Sequence, residues 1–409
     1  MKRMIFTVFI LIATASVFSQ TAVEPALYEG KYQIASLENL YWIAAPDSVV
    51  PTPSTTVRWS ANYVQLNDIN AAPTHTWFPD GSGGYYGWVP IASGSLFSGT
   101  YNGRGFGIDS LYANRNTAGL FDVISGSHVN ISGIKLTNVS ITSTNYAGGI
   151  ASQSLYRSVI ENCSVSGSIF GNFKVGGITG YSDTSSISWC SVSGSVSGGI
   201  FVGGITGEIT DSTGDTGSQI YNCYSTAAVS GDSRVGGLVA QIGSLSLITN
   251  SYSSGAVSCS DSYVGGLAWS NMYIVTDSFW DVESSGQTSS AGGTGKTRAE
   301  MKTESTFTNA GWDFTSVWLI DPLLNSGYPD LQWQYPPPAS PEVLLSYSTT
   351  PELSWNEVSG ATSYKIYSST NPNAIFPTGW TLETTVTELS WTDSDTSGTR
   401  KFYVVVAVN

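Results

Sequence analysis

Five times between residues 147 and 267 a pair of glycines stands between two apolar residues. The phrases are Ala147-Gly148-Gly149-Ile150, Val175-Gly176-Gly177-Ile178, Val202-Gly203-Gly204-Ile205, Val235-Gly236-Gly237-Leu238 and Val264-Gly265-Gly266-Leu267. Their first glycines fall at 148, 176, 203, 236 and 265, so the steps are 28, 27, 33 and 29. A second phrase follows each pair: Ile160-Glu161-Asn162-Cys163, Ile187-Ser188-Trp189-Cys190, Ile220-Tyr221-Asn222-Cys223, Ile248-Thr249-Asn250-Ser251 and Val275-Thr276-Asp277-Ser278. A fixed period of this length marks units that bury their apolar faces only by stacking on one another. The repeat therefore predicts a β-solenoid of short strands joined at glycine-rich corners, with its hand left open.

Composition supports an all-β chain. With 44 Gly, 12% aromatic and only 11% charged residues, it is too apolar and too weakly charged for disorder. A net charge of −14 without any Lys/Arg cluster argues against nucleic acid and anionic lipid as partners. Lys2 and Arg3, the apolar run from Met4 to Val17, and Val17-Phe18-Ser19 before Gln20 predict a signal peptide over residues 1–19. No later stretch is apolar and long enough to span a bilayer. The mature chain is thus expected in the secreted fraction or on the cell surface, without a transmembrane segment.

Residues 20–115 are expected to hold an N-terminal cap and the opening turns. Ser36 is placed as the N-cap of a short helix with Leu37, Leu40, Tyr41 and Ala44 on its apolar side. Residues 71–87, which carry Trp77, Phe78, Tyr85 and Tyr86 among glycines, predict an aromatic surface loop. The repeats fill 116–285. Within them Cys163, Cys190 and Cys223 share one position, about 4.8 Å apart on stacked strands, as a buried thiol ladder; a Cys163–Cys190 bridge is left open. Asn162, Asn222 and Asn250 share the preceding position, where stacked amides would hydrogen-bond along the axis. Residues 286–335 form a closing cap, in which Thr297 and Glu300 make a capping box and Trp312, Phe314, Trp318 and Leu331 seal the last turn.

These phrases resemble the GLUG repeats of bacterial surface and secreted proteins. The resemblance extends to Phe97-Ser98-Gly99-Thr100-Tyr101-Asn102-Gly103 upstream and to Phe279-Trp280-Asp281, Gly311-Trp312-Asp313-Phe314 and Tyr328-Pro329 downstream. It covers roughly residues 30 to 333 and implies a right-handed parallel β-helix. After a Pro-rich linker at 336–340, Leu353-Ser354-Trp355, Ser363-Tyr364-Lys365-Ile366-Tyr367 and the run from Phe402 to Asn409 resemble strands B, C and F of a fibronectin type III sandwich. That resemblance makes Trp355 the core tryptophan of a domain at 341–409 lacking its strand G, and a longer protein is expected.

Little in the chain carries chemistry. Gly292 to Thr297 imitate a phosphate loop, but Ser290 stands where the motif requires glycine. His75 and His128 have no ligand at metal spacing. The long step of 33 places extra residues in a loop at 208–219, and insertions in solenoids collect on one face. Glu208, Asp211 and Asp215 there are candidates for Ca²⁺ ligands or paired catalytic acids, against a plain solvated turn. Tyr224, Tyr252 and Phe279 at one repeat position, and Tyr146, Phe201 and Tyr263 at another, form either sugar-stacking columns or structural ladders. Trp77, Tyr85 and Tyr86 are the remaining candidate ligand contacts.

The expected function is a non-enzymatic, exported protein, adhesin-like or structural, whose loops recognise glycans or surface proteins of a host or neighbouring cell. No cofactor is expected, and Ca²⁺ at Glu208, Asp211 and Asp215 is left open. The alternative is a carbohydrate-active β-helix enzyme, a polysaccharide lyase or glycoside hydrolase using loop carboxylates.

Overall fold

The computed structural model describes residues 20–335 apart from 215, 216 and 272, and then 343–347, 350–358, 360–371, 380–394 and 401–408. The expected signal peptide, the Pro-rich linker and Asp215 lie outside the described residues. The chain divides into two compact units, the second beginning at Gln332.

The first unit is a parallel β-helix of about nine turns with short helical caps. Three sheets of 10, 13 and 7 strands run its length. One column of residues fixes the register of the first sheet: Tyr63, Tyr101, Ile131, Ile160, Ile187, Ile220, Ile248 and Val275 each pair with the next. All but Val275 are essentially inaccessible. β-Branched side chains fit such a column because each packs on its counterpart one turn away.

The turn after this column is built from two adjacent positions. Asn162, Trp189, Asn222, Asn250 and Asp277 have φ of 51°, 50°, 52°, 47° and 46°, a left-handed conformation in which Asn and Asp are enriched. The asparagines are therefore a backbone device. Among the described residues no side-chain bond joins Asn162, Asn222 and Asn250 to one another, so the expected amide ladder does not form. The following residue turns inward and relays hydrogen bonds. The N–H of Cys190 donates to Cys223 Sγ at 3.4 Å, that of Cys223 to Ser251 Oγ at 3.1 Å, and that of Ser251 to Ser278 Oγ at 3.2 Å. Cys163 and Cys190 are unbridged thiols, and burial pushes both well above the ordinary cysteine range.

The glycine pairs are not left-handed corners, as none of the ten has a positive φ. Close approach requires them instead. A Cβ on the first glycine of each pair would overlap the carbonyl oxygen three residues on, from Ala151 to Ala268, and on the second it would overlap the next turn.

At the N-terminal end Ser36 Oγ accepts from the N–H of Asn39 at 3.3 Å and caps the helix Leu37–Ala44, whose Leu37, Leu40, Tyr41 and Ala44 are buried. At the other end the capping box forms: the Thr297 N–H donates to Glu300 Oε2 at 2.8 Å, and the Glu300 N–H to Thr297 Oγ1 at 3.3 Å. The aromatic residues beyond it pack on the last turn, where Trp312 Nε1 donates to the Asp277 carbonyl at 2.8 Å, and reach past it. They fold back along the flank, where Trp318 lies 6.2 Å from both Tyr224 and Tyr252, and Trp312 6.0 Å from Phe279. The terminus itself is closed by Trp280 against Gly266 and by the strand Thr294–Lys296 paired to Phe279–Asp281.

The second unit contains two antiparallel three-stranded sheets, ordered Val343–Tyr347, Pro351–Trp355, Ser390–Thr392 and Thr381–Val386, Ser363–Ser369, Phe402–Val408. Leu353, Trp355, Tyr364, Ile366, Val405 and Ala407 make its core.

Candidate functional site

A cleft of about 550 Å³ opens between the N-terminal cap and the first turns of the helix. Its size is that of a small-ligand site. Tyr41 and Ala44 on the cap helix, Trp59, Phe78, Tyr86, Val89 and Arg115 line it, together with Asp47, Thr55 and Ser93. The aromatic loop at 71–87 forms one wall. Phe78 takes φ 55°, an unusual conformation for a bulky residue. It is fixed there by its carbonyl, which accepts from the N–H of Tyr86 at 2.8 Å.

Arg115 is the cation of the cleft. Its Nε donates to the Trp88 carbonyl and one terminal nitrogen to that of Gly87, both at 2.8 Å. The guanidinium lies 5.2 Å from the Phe78 ring centre and 5.5 Å from that of Tyr86, within cation–π range. Burial holds its pKa below the ordinary arginine value, opposed by the nearby Tyr41 and Tyr86, and it stays charged. Burial likewise raises the Tyr41 hydroxyl, which Arg115 draws back down. Asp47 is satisfied by its neighbours: Oδ1 accepts from the Thr55 N–H at 2.6 Å and from the fully buried Arg58 at 3.2 Å, and Oδ2 accepts from the Thr55 hydroxyl at 3.3 Å.

The three aromatic candidates of the loop take different positions. Tyr86 is 44% exposed and faces the cleft. Trp77 is buried behind the wall, edge-on to Tyr41 at 5.0 Å, so it supports the cleft without facing a ligand. Tyr85 lies outside the lining, and its carbonyl accepts from the Tyr112 hydroxyl at 3.2 Å. Arg115, Trp59 and Tyr41 were not legible as site residues. Their meeting depends on how the cap helix docks.

Tyr224, Tyr252 and Phe279 do align, with Tyr224 and Tyr252 stacked at 5.1 Å and 6°. They are 6%, 0% and 6% exposed. Phe307, Trp312, Trp318 and Tyr328 cover them, which overturns the sugar-stacking reading of this column. The other column alternates in kind: Lys174 and Arg234 occupy the turns between Tyr146, Phe201 and Tyr263. Arg234 sits 5.0 Å from the Phe201 ring centre and 5.9 Å from that of Tyr263, and Lys174 sits 5.9 Å from that of Tyr146.

The long loop is internally bonded. Glu208 pairs with Lys174 at 2.7 Å. Asp211 accepts from Thr184 Oγ1 at 2.9 Å, from the hydroxyl and N–H of Thr213 at 2.7 and 2.8 Å, and from the N–H groups of Gly214 and Gly217 at 2.9 and 3.2 Å. Burial would raise its carboxyl, but these donors outweigh that effect and lower it to about 2. Asp211 is thus neither a solvated turn residue nor an open ligand; it organises the loop. Among the described residues no three His, Cys, Asp or Glu side chains gather to hold a metal ion.

No protein-family model matches the chain. Over 166 residues, 38% of its length, it is 31% identical to halomucin of Haloquadratum walsbyi, covering 2% of that protein. Over 80 residues, 18% of its length, it is 39% identical to a "Putative Gly-rich membrane protein" of Evansella cellulosilytica, covering 9% of it. The chain therefore spans only a small part of these relatives. Among solved structures, a "putative immunoglobulin A1 protease" from Bacteroides ovatus matches with a TM-score of 0.53 and 19% identity, over 74% of this chain and 92% of that one. At that identity the likeness is one of fold.

Proposed function

We propose that this chain is a non-enzymatic, exported β-helix module of the cell surface, of the GLUG-repeat kind, that binds a glycan or a protein of a neighbouring cell in its N-terminal cleft. The observation that carries this reading is the cleft itself: an aromatic-lined concavity beside the oriented guanidinium of Arg115. The partial likeness to halomucin and to a Gly-rich membrane protein supports the surface location. The engagement of Glu208 with Lys174 and of Asp211 with its loop supports a binding role over hydrolysis, since glycoside cleavage needs two carboxylates facing one substrate.

The test is to screen the purified chain against glycan and surface-protein arrays beside Tyr86→Ala, with polysaccharide-degradation assays in parallel. Tyr86 is exposed, so its loss spares the fold. Binding that weakens in this variant supports the cleft. Ligands that bind both proteins equally, or turnover of a polysaccharide, would overturn the proposal.

A further inference from the structure

We infer that the cleft takes the carboxylate end of a peptide whose terminal side chain is apolar. This rests on the reading of the cleft as the ligand site and names the ligand class. Three features of the lining select it.

The first is the shortage of free polar groups. Tyr41, Ala44, Val49, Trp59, Phe78 and Val89 present mostly carbon, and both oxygens of Asp47 are occupied by Thr55 and Arg58. A sugar buried here would leave several hydroxyls without partners, a penalty that an apolar side chain avoids.

The second is the state of Arg115. Two of its nitrogens are fixed on the Trp88 and Gly87 carbonyls, and among the described residues no oxygen accepts from its other terminal nitrogen. The guanidinium is thus held in place by backbone and by two rings, with donor capacity left for one anion. Planar carboxylates match that geometry.

The third is charge. The chain carries −14 overall, which opposes anions at long range, but the Debye length at physiological salt is about 8 Å. Within that distance Arg115 is the uncompensated cation of the lining, while Asp47 is neutralised by Arg58 at 3.2 Å. An apolar body with one carboxylate complements both the wall and the cation.

The probes are N-acetyl-alanyl-leucine as the free acid and as the C-terminal amide, titrated calorimetrically into the full chain. They differ only in the group assigned to Arg115. The acid is expected to bind about tenfold more tightly, the ratio of a charge-assisted to a neutral hydrogen bond. That preference is expected to shrink as NaCl rises from about 50 mM to about 500 mM. Tyr86→Ala should weaken both probes alike, and Arg115→Gln should remove the preference for the acid. Because Arg115 also clamps Gly87 and Trp88, the acid–amide comparison on the unaltered chain is the deciding measurement. Equal affinities, or no binding of either probe, overturn the inference. Binding of neutral oligosaccharides that is lost in Tyr86→Ala would overturn the ligand class while leaving the cleft as the site. Array ligands that ignore Tyr86→Ala would overturn both.

Discussion

The hydroxyl of Tyr224, on the outer face of the β-helix, donates to the carboxylate of Asp330 at 2.6 Å, joining residues 106 positions apart. Tyr252, one turn on, donates to the Pro329 carbonyl at 2.5 Å and accepts from Asn325 Nδ2 at 2.7 Å. The repeat's own tyrosines thus fasten the closing segment to the flank. A buried hydrogen bond to a charged group contributes about 1.5–3 kcal/mol. Tyr224→Phe is expected to lower stability by about 2 kcal/mol, read as a lower urea midpoint at unchanged slope. A loss below about 0.5 kcal/mol, the floor for an ordinary hydrogen bond, would show that the segment is held by ring packing alone.

Ile220 is inaccessible and sits between Ile187 and Ile248 in the inward column. Ile220→Ala removes packing on both neighbours and leaves a void between turns, at a cost of about 2–5 kcal/mol. Protection of backbone amides against hydrogen exchange should fall first in the turns on either side, because each turn of a solenoid is held by its neighbours.

Asn162 tests the backbone role of its column. At φ 51°, Asn162→Gly should change stability by no more than about 0.5 kcal/mol, whereas Asn162→Val should cost about 1–2 kcal/mol because its branched Cβ crowds the carbonyl. Thermal denaturation of the two variants separates this from a side-chain ladder, in which glycine would be as damaging as valine.

Asp211 makes the loop at 208–219 acid-sensitive. Its carboxyl falls from the ordinary 3.8 to about 2. The folded-state pKa lies below the unfolded one, so its stabilisation is fully present above pH 4 and is lost as pH falls toward 2. Asp211→Asn should therefore melt earlier than the native chain at pH 7, and the difference should close between about pH 4 and pH 2. A gap that persists at pH 2 would show that the donors around Asp211 do not depend on its charge.

The site was less legible than the scaffold. Tyr224 and Tyr252 could be aligned from their spacing, since one period separates them, but spacing cannot say whether a face is open. Trp312, Trp318 and Tyr328 cover it after a return of the chain that no local pattern encodes. Arg234 and Lys174 are hidden in the sequence for the opposite reason: they break the aromatic identity of their column while keeping its position.

The sequence by itself determined the β-solenoid, its inward Ile and Cys columns, and the caps at Ser36 and at Thr297 with Glu300. All of these follow from interactions that repeat every turn or lie within four residues, so periodicity and capping rules reach them. Only the tertiary structure decided that the glycine pairs serve close approach, that the tyrosine column is covered, and that Tyr41, Trp59, Phe78 and Arg115 converge on one cleft. Those outcomes depend on the angle at which the cap helix and the closing segment dock. That angle is fixed by packing between surfaces distant in sequence, which carries no period to read.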